Sequence, residues 1–187
     1  MTFSQTKAAQ AAAWFIAQSN GSTTILKLMK LLYLADRQAL QDLERPITGD
    51  RMVSMPHGPV LSQTYEAANG NADAVPGGWD HWMSDRENHS IALKPGVNPV
   101  REALDCISDA EFAVLEKVQR EFGGRSAYWL RDYTHQHCPE WKNPLGSSLT
   151  IRPLSVLEAV GKTPEQARDI ADRLRLDREL DAIFAGL

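Results

Sequence analysis

One helix-length run constrains this chain more than any other feature: Ile25 to Leu40, apolar on one broad stripe with a single carboxylate inside that stripe. At about 100° per residue, Ile25, Leu28, Met29, Leu32, Ala35 and Ala39 fall together, while Lys27, Lys30 and Arg37 gather opposite. Asp36 lands among the apolar residues, four after Leu32 and seven after Met29. A buried, unpaired carboxylate costs several kcal/mol, so the fold is expected to supply donors to it. The nearby loop Gly49-Asp50-Arg51-Met52-Val53 and the turn at His57 are the expected sources. Leu34 sits among Lys27, Lys30 and Gln38, and Tyr33 lies beside Leu26 and Leu40 on a second apolar flank. A helix apolar on nearly every side is either central in the core or partly given to a partner. Both readings stay open here, and the second makes Lys27, Lys30, Tyr33, Leu34, Arg37, Met52 and His57 candidate partner contacts.

The rest of the chain reads as further helices. Ser4 to Gln18 forms the first, closed by Asn20-Gly21, and Thr24 to Leu43 the second, ended before Pro46. Residues 50–55 alternate weakly, as a short strand does, and Gly58-Pro59 is expected to restart a helix through Tyr65. Residues 70–99 are broken by glycine and proline, and about 79–94 reads as a small hairpin that must pack on the helices. Ser108-Asp109-Ala110-Glu111 is a capping box, and the helix behind it presents Phe112, Leu115, Val118 and Phe122 before Gly123-Gly124. A helix covers about Ser126 to His137, and a short piece about Ser155 to Val160. Thr163-Pro164-Glu165-Gln166 starts the last helix. Its apolar face turns by about half a circle between Leu174 and Leu176, so a break near Asp177 is expected. Leu180, Ile183 and Phe184 would then meet a partner or a separate groove. These elements predict a mainly α protein: one compact helical domain over residues 1–162 with a small β-hairpin, and a C-terminal helical segment over 163–187.

The residues of that second helix and the turn after it also carry a resemblance. The string Leu28-Met29-Lys30-Leu31-Leu32-Tyr33-Leu34-Ala35-Asp36, then Thr48-Gly49-Asp50, then His57-Gly58-Pro59-Val60 with Tyr65, resembles the Panacea domain of SocA-like antitoxins and phage-associated proteins. Ser126-Ala127-Tyr128-Trp129-Leu130, Thr134-His135 and Pro139-Glu140-Trp141 look like its downstream motif. The resemblance spans roughly residues 8–142. It implies a bacterial antitoxin without catalytic activity that neutralises a toxin encoded beside it by binding. Asp36, Gly49, Asp50, Gly58, Pro59, Val60, Tyr65, His135 and Trp141 would be the structural motif residues.

Other chemistries find little support. His135-x-His137-Cys138 points its histidines to different sides of a helix, and no second Cys or His pair stands at zinc spacing, so neither metal nor cofactor is expected. His57 with Asp36 or Asp50 suggests acid–base work, but no nucleophile elbow, metalloprotease helix or phosphate loop accompanies it, which leaves a small hydrolase as a weak rival. The net charge of −4 disfavours nucleic acid as the main partner. Arg168, Arg173, Arg175 and Arg178 on the last helix are offset by five acids and lack interleaved aromatics. A DNA-binding regulator of its own operon is therefore the second alternative. No run of about 18 apolar residues and no secretory leader is present, and the two cysteines are expected to be reduced, so a cytoplasmic site is expected. The expected partner is the cognate toxin, masked or delivered to an AAA+ protease such as ClpXP; homo-oligomerisation stays open.

Overall fold

Helix α1 (Gln5–Ala17), strand β1 (Ser22–Thr24) and helix α2 (Ile25–Asp42) open the chain, and α2 becomes the axis of the fold. The structure, a computed structural model, describes residues 2–185. Thr24 caps α2 by accepting the Lys27 N–H, and Ser4 caps α1 in the same way for Lys7. Twelve of the eighteen residues of α2 are buried, on every side of the helix, as a central helix requires. Helix α1, whose run Ala8–Ile16 is buried throughout, lies along it. Five alanines in that run let the two helices approach closely.

Strands β2 (Met52–Met55) and β3 (Gly58–Leu61) form an antiparallel hairpin against α2, and the short strand β5 (Leu149–Thr150) adds to the other edge of β2. The expected helix at Gly58-Pro59 is thus a strand, and helix α3 begins only at Ser62 (Ser62–Ala68). Pro59 tolerates this because β3 is an edge strand, where a missing N–H costs little. The helix start is set instead by Asp50, whose carboxylate accepts the N–H groups of Gln63 and Thr64 at 3.0 and 2.7 Å.

The expected hairpin over 79–94 is narrower. Residues Trp79–Trp82 form a helical turn, α4, and the ladder runs only from the Met83–Leu93 bridge to the Glu87–Ser90 bridge. Its second strand, β4 (Ser90–Ala92), pairs with β1 at the entrance to α2, which supplies the support that so short a hairpin needs.

Helices α5 (Asp109–Phe122) and α6 (Ala127–His137) pack on α2. The capping box of α5 is complete, with Glu111 also taking the Lys7 ammonium at 2.6 Å. Helix α7 (Pro153–Ala159) joins α2 to α8 (Pro164–Ala185), which is capped reciprocally by Thr163 and Gln166. The expected break near Asp177 is absent. Helix α8 runs through it: Ala167, Ile170 and Leu174 are buried, while Leu176, Leu180, Ile183 and Phe184 stay exposed, so no bend is needed to bury them. Among the described residues no helix is long and apolar enough to cross a membrane.

Candidate partner-binding site

Asp36 is fully buried, as its place on the wheel demands. Its donors are the Ile47 and Thr48 N–H groups at 2.9 and 3.0 Å and the Thr48 hydroxyl at 2.5 Å. Neither the segment 49–53 nor His57 reaches it; the chain turns back two residues earlier than expected. Burial pushes the Asp36 carboxyl up to about 7, against the pull of these donors. Asp50 serves a separate purpose, taking the Thr64 hydroxyl at 2.8 Å besides the N–H groups that open α3. Two buried carboxylates therefore pin residues 47–50 between α2 and α3. Gly49 belongs here because its φ of +71° and the Thr2 carbonyl beside it leave no room for a side chain.

The cations opposite Asp36 are not a solvated stripe. Lys30 is fully buried, and its ammonium donates to the Pro59 carbonyl at 2.7 Å. Gly58, at φ +95°, is what admits it: a Cβ there would stand 3.2 Å from the Lys30 Nζ and 2.8 Å from the Thr134 hydroxyl. Lys27 donates to the Gly123 carbonyl at the end of α5, at 2.6 Å. Arg37 donates to Glu140 at 2.7 Å, and the same oxygen accepts the Tyr33 hydroxyl at 2.5 Å. With Tyr33, Leu34 and Met52 buried as well, a partner surface drawn through Lys30, Tyr33, Leu34 and Met52 does not exist on this chain. Helix α2 turns its charged side inward too, because α5, α6 and the β2–β3 hairpin cover it.

Burial also makes Lys30 a pH-dependent element. Desolvation lowers its pKa from 10.5 to about 7, so between those values the unfolded chain binds the proton more tightly. Stability from this group is therefore lowest below about pH 7 and rises toward pH 10. Lys30→Met is expected to be at least as stable as the parent at pH 6, and to lose that advantage by about pH 10. Urea melts at both pH values check this; parallel curves would contradict it.

His57 is exposed at the hairpin turn, and Asp36 takes its hydrogen bonds from Ile47 and Thr48, so the expected bond between His57 and Asp36 is absent. His135 stacks on Trp141 at 4.0 Å, whose indole N–H donates to the Met55 carbonyl at 3.0 Å, while His137 stacks on Tyr133 at 4.5 Å. The His135 and Trp141 pair thereby locks the segment after α6 onto the β2–β3 hairpin. Among the described residues no group of three or more His, Cys, Asp and Glu side chains could hold a metal ion.

Among the described residues, two surfaces bring expected partner contacts to solvent. The first is a groove of about 430 Å³ between the start of α2, the β2–β3 hairpin, the β4 hairpin and the start of α6. Leu26, Met29, Val60, Tyr65 and Tyr128 give it apolar walls, and Lys30, His57, Arg86 and His89 its only nitrogen-bearing side chains. The second is the end of α8, where Leu180, Ile183 and Phe184 are 52, 61 and 71% exposed and follow Leu176 at helical spacing. The sequence pointed to the α8 residues and to His57 as partner contacts, and to Tyr65 as a structural motif residue. It gave no sign of Arg86, which sits in a polar turn without periodicity, and Glu140 stood only in the downstream motif Pro139-Glu140-Trp141, its role depending on the fold bringing residue 140 to α2.

The motif residues Met29, Lys30, His57, Gly58, Val60 and Tyr65 thus converge on one groove although they come from three elements. No curated protein and no solved structure matches the chain. A family profile does: that of the antitoxin SocA-like, Panacea domain, over residues 28–142, which takes in α2, the β2–β3 hairpin, α5, α6 and the segment through Trp141 and Lys142. The match covers more than half of the sequence, and the chain belongs to the SocA-like antitoxin family with its Panacea domain.

Proposed function

We propose that this chain is an antitoxin that neutralises a protein toxin, encoded beside it, by binding it directly and without catalysis. The family match over residues 28–142 carries the reading. The arrangement of polar groups supports it: the buried carboxylates Asp36, Asp50 and Glu140 are engaged in holding loops and helices together, and His57 stands apart from them. Binding is served by the groove beside His57 and by the exposed end of α8. Four large apolar side chains left in water on one helix end form a patch of the kind that partners cover. This second face would suit either a further contact on the toxin or delivery of the complex to an AAA+ protease. The chain would act in the cytoplasm, where such a protease and a toxin's targets meet.

Co-expression tests the reading. The neighbouring gene alone is expected to arrest growth, and this chain to restore it. Leu180→Glu with Phe184→Glu, both on exposed positions, is expected to leave the fold within about 0.5 kcal/mol and to weaken rescue. A neighbour that is harmless by itself removes the basis for an antitoxin.

A further inference from the structure

The groove at His57 has an uneven chemistry. No aspartate or glutamate lines it, on a protein whose net charge is −4. None of its cationic or imidazole groups is paired with a carboxylate among the described residues. The Arg86 guanidinium donates to the Asn88 carbonyl at 2.5 Å and to the Asn69 side chain, and its remaining nitrogen faces His89 at 3.4 Å. Lys30 beneath has the Pro59 carbonyl. Arg86 is held in place, exposed and without a counter-ion.

We propose that this groove receives an acidic–apolar segment of the toxin, its carboxylate set against Arg86 and its apolar side chains against Leu26, Met55 and Tyr128. The proposal rests on the antitoxin reading above and names the chemistry that the site recognises. Charge complementarity selects the carboxylate, because an arginine on a groove lined by no acid favours anions there and disfavours cationic segments. The apolar walls select what accompanies it, and the half-buried Met55 adapts to side chains of varied shape. A nucleic-acid strand fits less well: it needs a row of exposed cations along its backbone, and the groove holds one arginine with a lysine that is fully buried.

Titration calorimetry of the intact chain with the purified product of the neighbouring toxin gene tests this. Arg86→Glu is expected to weaken binding at least about tenfold and Arg86→Gln less, with Tyr128→Ala also weakening it. Arg120→Glu, the same charge change on an exposed position outside the groove, is expected to leave binding within about twofold. Circular-dichroism melts show that each variant is folded. If the parent binds and Arg86→Glu binds equally well, the groove is not the acidic segment's site, while the antitoxin reading stands. If the parent itself does not bind, the antitoxin reading falls first. Binding of a fluorescein-labelled oligothymidylate that Arg86→Glu abolishes, with toxin binding unchanged, would make the groove a nucleic-acid site and overturn the proposal.

Discussion

Arg37→Met is expected to cost about 3–5 kcal/mol, the largest single loss from α2, because it strands the buried carboxylate of Glu140. The Glu140 side chain is fully buried, and one of its oxygens collects both the Arg37 Nε–H and the Tyr33 hydroxyl. Its other oxygen has no partner, so nothing remains to share the charge once the guanidinium is gone. The tyrosine hydroxyl alone is a weak substitute. Pairing Arg37→Met with Glu140→Gln is expected to recover a large part of the loss, since the neutral amide keeps the shape without the charge. Urea denaturation of the four members of this cycle gives the coupling directly. Additive losses would mean that the pair acts as an ordinary surface ion pair.

Asp36→Ala is expected to cost about 2–4 kcal/mol near pH 6 by stranding two backbone N–H groups and the Thr48 hydroxyl in the interior. Asp36→Asn keeps an acceptor for those N–H groups and is expected to cost less. The two forms differ in pH dependence. Burial lifts the folded pKa of Asp36 from 3.8 to about 7, so the folded chain binds this proton more tightly than the unfolded one. The contribution is full below about pH 4 and declines as pH rises to about 7. The parent is therefore expected to lose stability relative to Asp36→Asn across that window. A constant difference between their melts from pH 4 to 8 would contradict it.

The sequence exposed Asp36 because a 3.6-residue period places side chains on a wheel whatever surrounds them. It could not show what surrounds them. Lys30 and Arg37 fall on the polar side of that wheel, and only the packing of α5, α6 and the hairpin reveals that this side is also interior. The same limit explains Gly58-Pro59. Proline is compatible both with a helix start and with an edge strand, and the choice is made by Asp50, whose carboxylate sits 13 residues from the α3 backbone it caps. Caps were legible where donor and acceptor are three residues apart, as at Ser108 and Thr163. The change of apolar phase in α8 was legible as well, but its cause was not: the later half carries its apolar residues outward instead of bending to hide them. Of the groove, the sequence offered the walls from α2 and the hairpin. Arg86 came from a turn whose position is fixed only by the pairing of β4 with β1.

The proposed role of this chain is to hold a toxin. Light scattering coupled to size exclusion, on the chain mixed with the purified product of the neighbouring gene, measures it most directly. A single complex of defined mass that survives the column is expected, weakened by Leu180→Glu with Phe184→Glu or by Arg86→Glu. Two separate peaks at the masses of the free proteins, with a neighbouring product that is toxic by itself, would contradict it.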